Sequence, residues 1–278
     1  MTFQNENESK NVLDCWILMR LSWLIDFSEK TLRLYNAKDV ALEIEKFVSD
    51  ISTWFIRRSR DRVWVNSEDV EDKKSFYNTL NTVLVNLSII MSPFTPFISE
   101  IIYTHLTKEE SVHLTSWPLT KYLPKVNTEL FSDMDLVRGI VEVGQRVRKE
   151  IKIKVRQPLS SITILLPKMN DFKLKQFYSG YERLLKDELN VKKVIFTHST
   201  GEKIDVRYDT VLTKELVIEG KLREFIRDIQ SKRKELGIKP YEEISLVIPK
   251  TFLIYKDYLK KKVLARKIEI GLDLQVSL

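Results

Sequence analysis

Apolar residues recur at three- and four-residue steps through the first hundred residues. Leu13, Ile17, Leu21, Leu24, Phe27 (or Ser28) and Leu32 predict a helix over 11–36. Val40, Ile44, Phe47, Val48, Ile51 and Phe55 predict a second over 38–65. Tyr77, Leu80, Leu84, Leu87 and Met91 predict a third over 70–91, stopped by the two prolines of "SPFTPF". A fourth, 95–106, is expected to turn Phe97, Ile101, Ile102 and His105 inward. Long helices with short joints predict an antiparallel bundle.

The period then changes. Residues 108–131 carry two prolines and little periodicity and read as a linker, placing a first domain at 1–131 and a second at 132–278. In the second domain a helix at 133–151 leads to a strand, 161–167. A helix at 172–189 leads to strands at 191–196 and 203–208. A helix at 219–236 leads to a strand at 244–249, and a last helix is expected over 251–270. The fold class is mainly α: a helical bundle followed by a smaller α+β domain.

The second domain repeats itself. "QRVRKEIKIK" (145–154) and "QSKRKELGIK" (230–239) align at an offset of 85 residues, and each leads through a proline to a strand ending in proline. The unit is helix, basic turn, strand. Arg and Lys at a helix C-terminus complement the macrodipole. They also suit two basic turns shown on one surface, and both readings can hold together.

Charge sharpens that alternative. Net charge is +7, but unevenly placed. Residues 1–131 hold 15 Lys+Arg against 18 Asp+Glu, or −3; residues 132–278 hold 31 against 21, or +10. Such a balance suits a polyanion such as RNA, although lysine excess also serves solubility. The one basic segment of the first domain is "STWFIRRSRDRVW" (52–64), with Arg57, Arg58, Arg60 and Arg62 among Trp54, Phe55 and Trp64. On a continuous helix Arg58 and Arg62 share the core side with Ile51 and Phe55, to pair with carboxylates or emerge at the bundle tip. Arg57, Arg60 and Trp64 fall opposite. That outward face is either solvated or a surface on which guanidinium meets phosphate and indole stacks on a base.

Chemistry of other kinds finds little footing. With only seven glycines and no G-x-G-x-x-G or G-x-x-x-x-G-K-[ST], a phosphate-cradling loop is not expected. One cysteine, Cys15, precludes an internal disulfide and suits a reducing cytoplasm. His105, His113 and His198 are scattered and give no zinc spacing. "MTFQNENESK" lacks the apolar core of a signal peptide, and "TVLVNLSIIM" is half a membrane span. No catalytic constellation is evident.

Several stretches together resemble a known family. "NVLDCWILMRL" (11–21), "FVSDISTWFIRRSRDRVW" (47–64), "MSPFTPFISEIIY" (91–103), "RKEIKIKVRQPLSSITI" (148–164), "DELNVKKVIF" (187–196) and "REFIRDIQSKRKELGI" (223–238) occur in the order and spacing of the C-terminal region of isoleucyl-tRNA synthetases of the archaeal and eukaryotic type. The resemblance implies a class Ia anticodon-binding bundle, a smaller C-terminal domain, tRNA(Ile) as partner and a cytoplasmic setting. It places Arg57, Arg58, Arg60 and Trp64 in the tRNA-binding motif. With Arg148, Lys149, Lys152, Lys154, Arg156, Arg233 and Lys234 of the two basic turns, these are the candidate tRNA-binding residues. Cys15 stands where the family usually has a basic residue. The HIGH and KMSKS signatures and the editing insertion do not occur in this sequence. ATP and Mg, the family's cofactors, would belong to a catalytic part, and this chain alone is not expected to be active. A separate catalytic polypeptide is then a further expected partner. The alternative is a paralogue that serves protein assembly without reading an anticodon.

Overall fold

The computed structural model describes residues 11–64, 69–167, 171–199, 201 and 203–277. The polar stretch 1–10 and the last residue of the expected helix 38–65 lie outside them. The chain forms two compact units that meet within one helix, between Met134 and Asp135.

The first unit is helical. Helix α1 (Val12–Arg33) begins where the Asn11 side chain accepts from the Leu13 amide at 3.0 Å. Asn36 caps α2 (Ala37–Asp50), and Asp69 caps α4 (Val70–Met91). Between α2 and α4 the chain runs as a π-helix, Ile51–Ile56, then breaks at Ser59 into the single turn α3 (Arg60–Val63). Helix α5 (Pro96–Thr107) starts with proline at its first position, where no amide is needed. Trp16, Ile17, Leu21, Leu24 and Ile25 of α1, Val40, Ile44 and Phe47 of α2, and Ile51, Trp54 and Phe55 of the π segment are all buried. Phe55 stacks on Phe76 of α4 with ring centroids 5.0 Å apart.

Two expected faces are turned. In α4 the buried positions are Phe76, Thr79, Val83, Val85, Leu87, Ser88 and Ile90; of the expected stripe only Leu87 is among them, and Tyr77 is 50% exposed. The helix packs on two sides, with α1 and with α5, so neither of its apolar stripes alone defines the core. A small cluster of Val85, Tyr103 and Val112 forms the second side. Helix α5 buries Ser99 and Tyr103, while Phe97 is 86% and Ile101 54% exposed; Ile102 is half-buried and His105 exposed. A serine on the packed face lets α5 lie close to α4, and the bulkier apolar side chains are left outside. Glu100 then ties down the segment that follows by accepting from Ser111 Oγ and the Val112 amide at 3.1 and 2.8 Å. The expected linker contains two 3-10 turns, and α6 (Thr128–Glu150) starts before the predicted 133.

The second unit is built twice over. Strand β1 (Leu159–Leu166) is followed by α7 (Asp171–Leu189), β2 (Val191–His198) and β3 (Asp205–Tyr208). Strand β1 pairs in parallel with β2 and antiparallel with β3. After α8 (Lys214–Glu235), β4 (Ile244–Ile248) pairs in parallel with β5 (Ala265–Ile270) and antiparallel with β6 (Gln275–Ser277). The sheets are ordered β2-β1-β3 and β5-β4-β6, the same arrangement twice. Leu222 and Ile229 of α8 cover the second sheet's Ile244, Leu246, Ile248 and Ile268.

The expected helix 251–270 is therefore corrected. Lys250–Tyr255 is a 3-10 segment, α9 is confined to Lys256–Val263, and the chain then enters β5. The stop is Leu264, left-handed at φ 54°. Leucine seldom takes that conformation, so the sequence carries no glycine or asparagine to mark the end. The equivalent stop before β2 is Asn190 at φ 51°, a residue that tolerates it.

Candidate nucleic-acid interface

The arginine segment is shaped by the π-helix. Its wider turn, with the Arg57 amide bonded to the Ser52 carbonyl, advances less per residue than an α-helix. Adjacent Trp54 and Phe55 can both be buried as a result. Buried Ser59 then ends the segment, and four arginines take three positions. Arg62 lies inside: its Nη1 and Nη2 donate to Asp14 Oδ1 and Oδ2 at 2.6 and 2.8 Å, and its Nε and Nη2 to Asp72 Oδ2 and Oδ1 at 2.8 and 2.7 Å. Burial opposes that charge, but the hydrogen bonds to both carboxylates outweigh it and hold the Arg62 pKa above the ordinary arginine value. Arg58 is half-buried, and Arg57 and Arg60 are exposed. Arg57 Nε rests on the Thr53 carbonyl at 2.9 Å. Trp64 is half-buried, with an indole Nε1 that is buried and unpartnered among the described residues.

The basic turns of the second unit separate in the same way. Arg148 and Arg233 are 0% and 2% exposed. Arg148 donates to the carbonyls of Lys154, Gln157, Leu189 and Asn190 at 2.9–3.0 Å. Arg233 donates to those of Lys239, Glu242 and Val263. Each guanidinium thus meets the C-terminal end of the helix between the parallel strands, where carbonyls and macrodipole favour a cation. Burial lowers both pKa values; main-chain carbonyls receive both guanidinium groups, and the Glu242 carboxylate partly offsets burial at Arg233. Arg148 also lies over the Tyr208 ring at 5.1 Å, and burial pushes the Tyr208 hydroxyl up. Neither arginine is available to a phosphate. The two must be withdrawn from the candidate surface, because both guanidinium groups are buried and donate to main-chain carbonyls. Lys149, Lys152, Lys154, Arg156 and Lys234 are exposed, and Lys154 Nζ sits 2.8 Å from Glu224.

Sequence reasoning could have found this division. Arg148 and Arg233 coincide at the 85-residue offset, and so do Lys152 and Gly237, left-handed at φ 56° and 70°. The Ile153 and Ile238 amides close equivalent turns on the Arg148 and Arg233 carbonyls. An arginine kept in both copies beside a strained turn position is a sign of structure.

Other chemistry has little to stand on. A shallow groove of about 290 Å³ lined by Ala41, Ile44, Glu45, Val48, Met91, Phe94 and Thr95 offers a single carboxylate. Among the described residues no three His, Cys, Asp or Glu side chains are grouped to hold a metal ion. No described helix is long and apolar enough to cross a membrane.

The first unit is a helical bundle with exposed arginines, and the second is a basic α+β unit. The family of the anticodon-binding domain of tRNA ligase matches residues 14–164, and the chain belongs to it. Its relatives are more particular. The chain is 41% identical to an isoleucine–tRNA ligase of Clostridium novyi over 68% of its own length and 18% of the relative's. It is 32% identical to that of Dehalococcoides mccartyi over 93% of the chain and 27% of the relative, and 32% identical to that of Chlamydia caviae over 98% and 24%. The chain therefore spans about a fifth to a quarter of the relatives it matches.

Proposed function

We propose that this chain is the tRNA(Ile)-binding, anticodon-arm module of an isoleucine–tRNA ligase. In this reading it supports ATP-dependent isoleucylation of tRNA carried out in the cytoplasm by a catalytic part outside these residues. That part would hold ATP and Mg. The observation that carries the proposal is the family match across the bundle together with the division of its arginine segment. Arg62 locks the segment to α1 and α4, and this leaves Arg57 and Arg60 outward. Phosphate contacts by such cations set affinity and register.

The test is binding of the purified chain to tRNA(Ile), to the same tRNA with a changed anticodon, and to an unrelated tRNA across a salt series. Selective, salt-sensitive binding lost with the anticodon change supports the reading, and equal weak binding to all three overturns it. One observation favours a second reading, a protein-assembly module: Phe97, Ile98 and Ile101 make an open apolar face on α5. Recovery of a stoichiometric protein partner without RNA selectivity would support that reading.

A further inference from the structure

The two basic turns are joined by a single helix. The N-terminal half of α8 packs on the first turn. A Cβ at Gly220 would press on Gln157 Oε1, Gln157 Nε2 donates to the Leu216 carbonyl at 2.8 Å, and Lys154 reaches Glu224. The C-terminal end of α8 runs directly into the second turn, where the Gly237 amide bonds to the Lys234 carbonyl. Between them, at 100° per residue, Arg223, Lys234 and Arg227 fall within about 40° of one another on one face. Arg227 is 58% exposed and Lys234 is exposed. From Arg223 to Lys234 the helix rises about 17 Å.

Glu224, Asp228 and Glu235 lie about 100–140° round from Arg223, and Glu219, about 40° to its other side, is paired with Arg223 itself. Lys154, Arg156 and Arg227 all act on Glu224; the hydrogen bond from Lys154 is the foremost cause that its carboxyl lies below the ordinary range. The result is a run of cations from Lys154 and Arg156, which act on Glu224, past Arg227 to Lys234, with Lys152 and Lys239 in the turns at the two ends. Its one aromatic ring is Tyr241, exposed beside Lys239 at 5.8 Å. Reading unpaired bases takes a row of stacking faces; gripping phosphates takes cations on a rigid support.

We propose that the exposed basic face of α8, with the turns at its two ends, is a second RNA-binding surface that grips the phosphate backbone of a double-helical stem without sequence preference. The proposal rests on the RNA-binding reading above but assigns a different part of the RNA to a different unit of the protein. The two arginines withdrawn from the surface set the shape of its ends, and Arg227 is a phosphate-binding residue that motif reasoning did not name.

The full chain is titrated with tRNA(Ile), with tRNA(Ile) carrying a changed anticodon, and with a stem-loop of unrelated loop sequence. The triple variant R156Q/R227Q/K234Q is expected to lose roughly tenfold in affinity for all three RNAs at moderate salt. Its log–log salt slope should be shallower by about 2–3 units, at roughly 0.9 for each phosphate no longer neutralised. Glu224→Gln removes the anion beside the line and should tighten binding to all three about threefold, a gain that misfolding does not produce. Parent affinity and slope in both variants would overturn the proposal, as would a loss confined to the RNA with the native anticodon. If the parent discriminates the anticodon while the variants match it, only this inference falls; if the parent binds none of the RNAs, the underlying reading falls with it.

Discussion

Arg62 meets Asp14 through two parallel bonds, Nη1 to Oδ1 and Nη2 to Oδ2, across 48 residues of sequence. Asp14 is wholly buried in α1, where Ser75 Oγ also donates to it at 3.0 Å. Arg62→Met would leave that carboxylate uncompensated and should destabilise the bundle by about 3–5 kcal/mol. Adding Asp14→Leu should recover part of the loss, so a double-mutant cycle in urea should show strong coupling. Additive losses would mean that the pair does not lock the segment in place.

Arg148→Met and Arg233→Met should each cost about 3 kcal/mol, since each strands several buried carbonyls that a charged donor now satisfies. Thermal melts give the stability. RNA titration well below the melting point should show near-parent affinity for both variants. A variant that keeps its stability and loses RNA would return that arginine to the surface.

Glu219 supplies a pH-dependent element. Burial acts to raise its pKa, but hydrogen bonding from Lys192 and the charge of Arg223 outweigh this and hold it below the ordinary 4.5. Its carboxylate lies 2.6 Å from Lys192 and 2.8 Å from Arg223. A depressed folded pKa means the stabilisation is present above about pH 4.5 and is lost as pH falls through the lower folded value. Urea melts from pH 6 downward should show the parent losing its advantage over Glu219→Gln in that acidic window. A constant gap between the two at every pH would refute the assignment.

Gly220 tests how α8 is seated. Gly220→Ala pushes a methyl against the Gln157 amide, which bonds to the Leu216 and Pro158 carbonyls. We expect a loss of about 1–3 kcal/mol, the ordinary cost of overpacking. Gln157→Ala in the same background should relieve part of it. Denaturant midpoints of the two variants decide the matter.

How far the fold is legible depends on whether an element has one apolar side. Helix α1 has one: Leu13, Ile17, Leu21, Leu24 and Ser28 are buried as their spacing requires. Helix α4 packs on two sides and α5 leaves its bulkiest residues open, so periodicity named the helices and misplaced their faces. Strand β5 escaped because Leu259, Val263 and Ile270 also fall on one face at a helical step. Setting "NVKKV" (190–194) beside "LARKI" (264–268) would have exposed it, since Val191 and Val194 are buried as Ala265 and Ile268 are. The candidate site was legible as a set of charges, but not as a division of labour. Burial distinguishes Arg148 from Lys149 and Arg62 from Arg60, and no property of an isolated arginine announces it.

The π-helix at Ile51–Ile56 gives the first unit slack. An ordinary α-helix would need one residue fewer to cover the same turn. Elsewhere in a helix, losing one residue swings every later side chain by 100°, and here that would carry Arg62 away from Asp14. Between Ile51 and Ile56 a one-residue deletion has a bulge to consume, so the segment can tighten to α and leave Arg57 to Arg62 facing as they do. This short stretch is the joint at which the length of the chain can change without altering what the arginines touch.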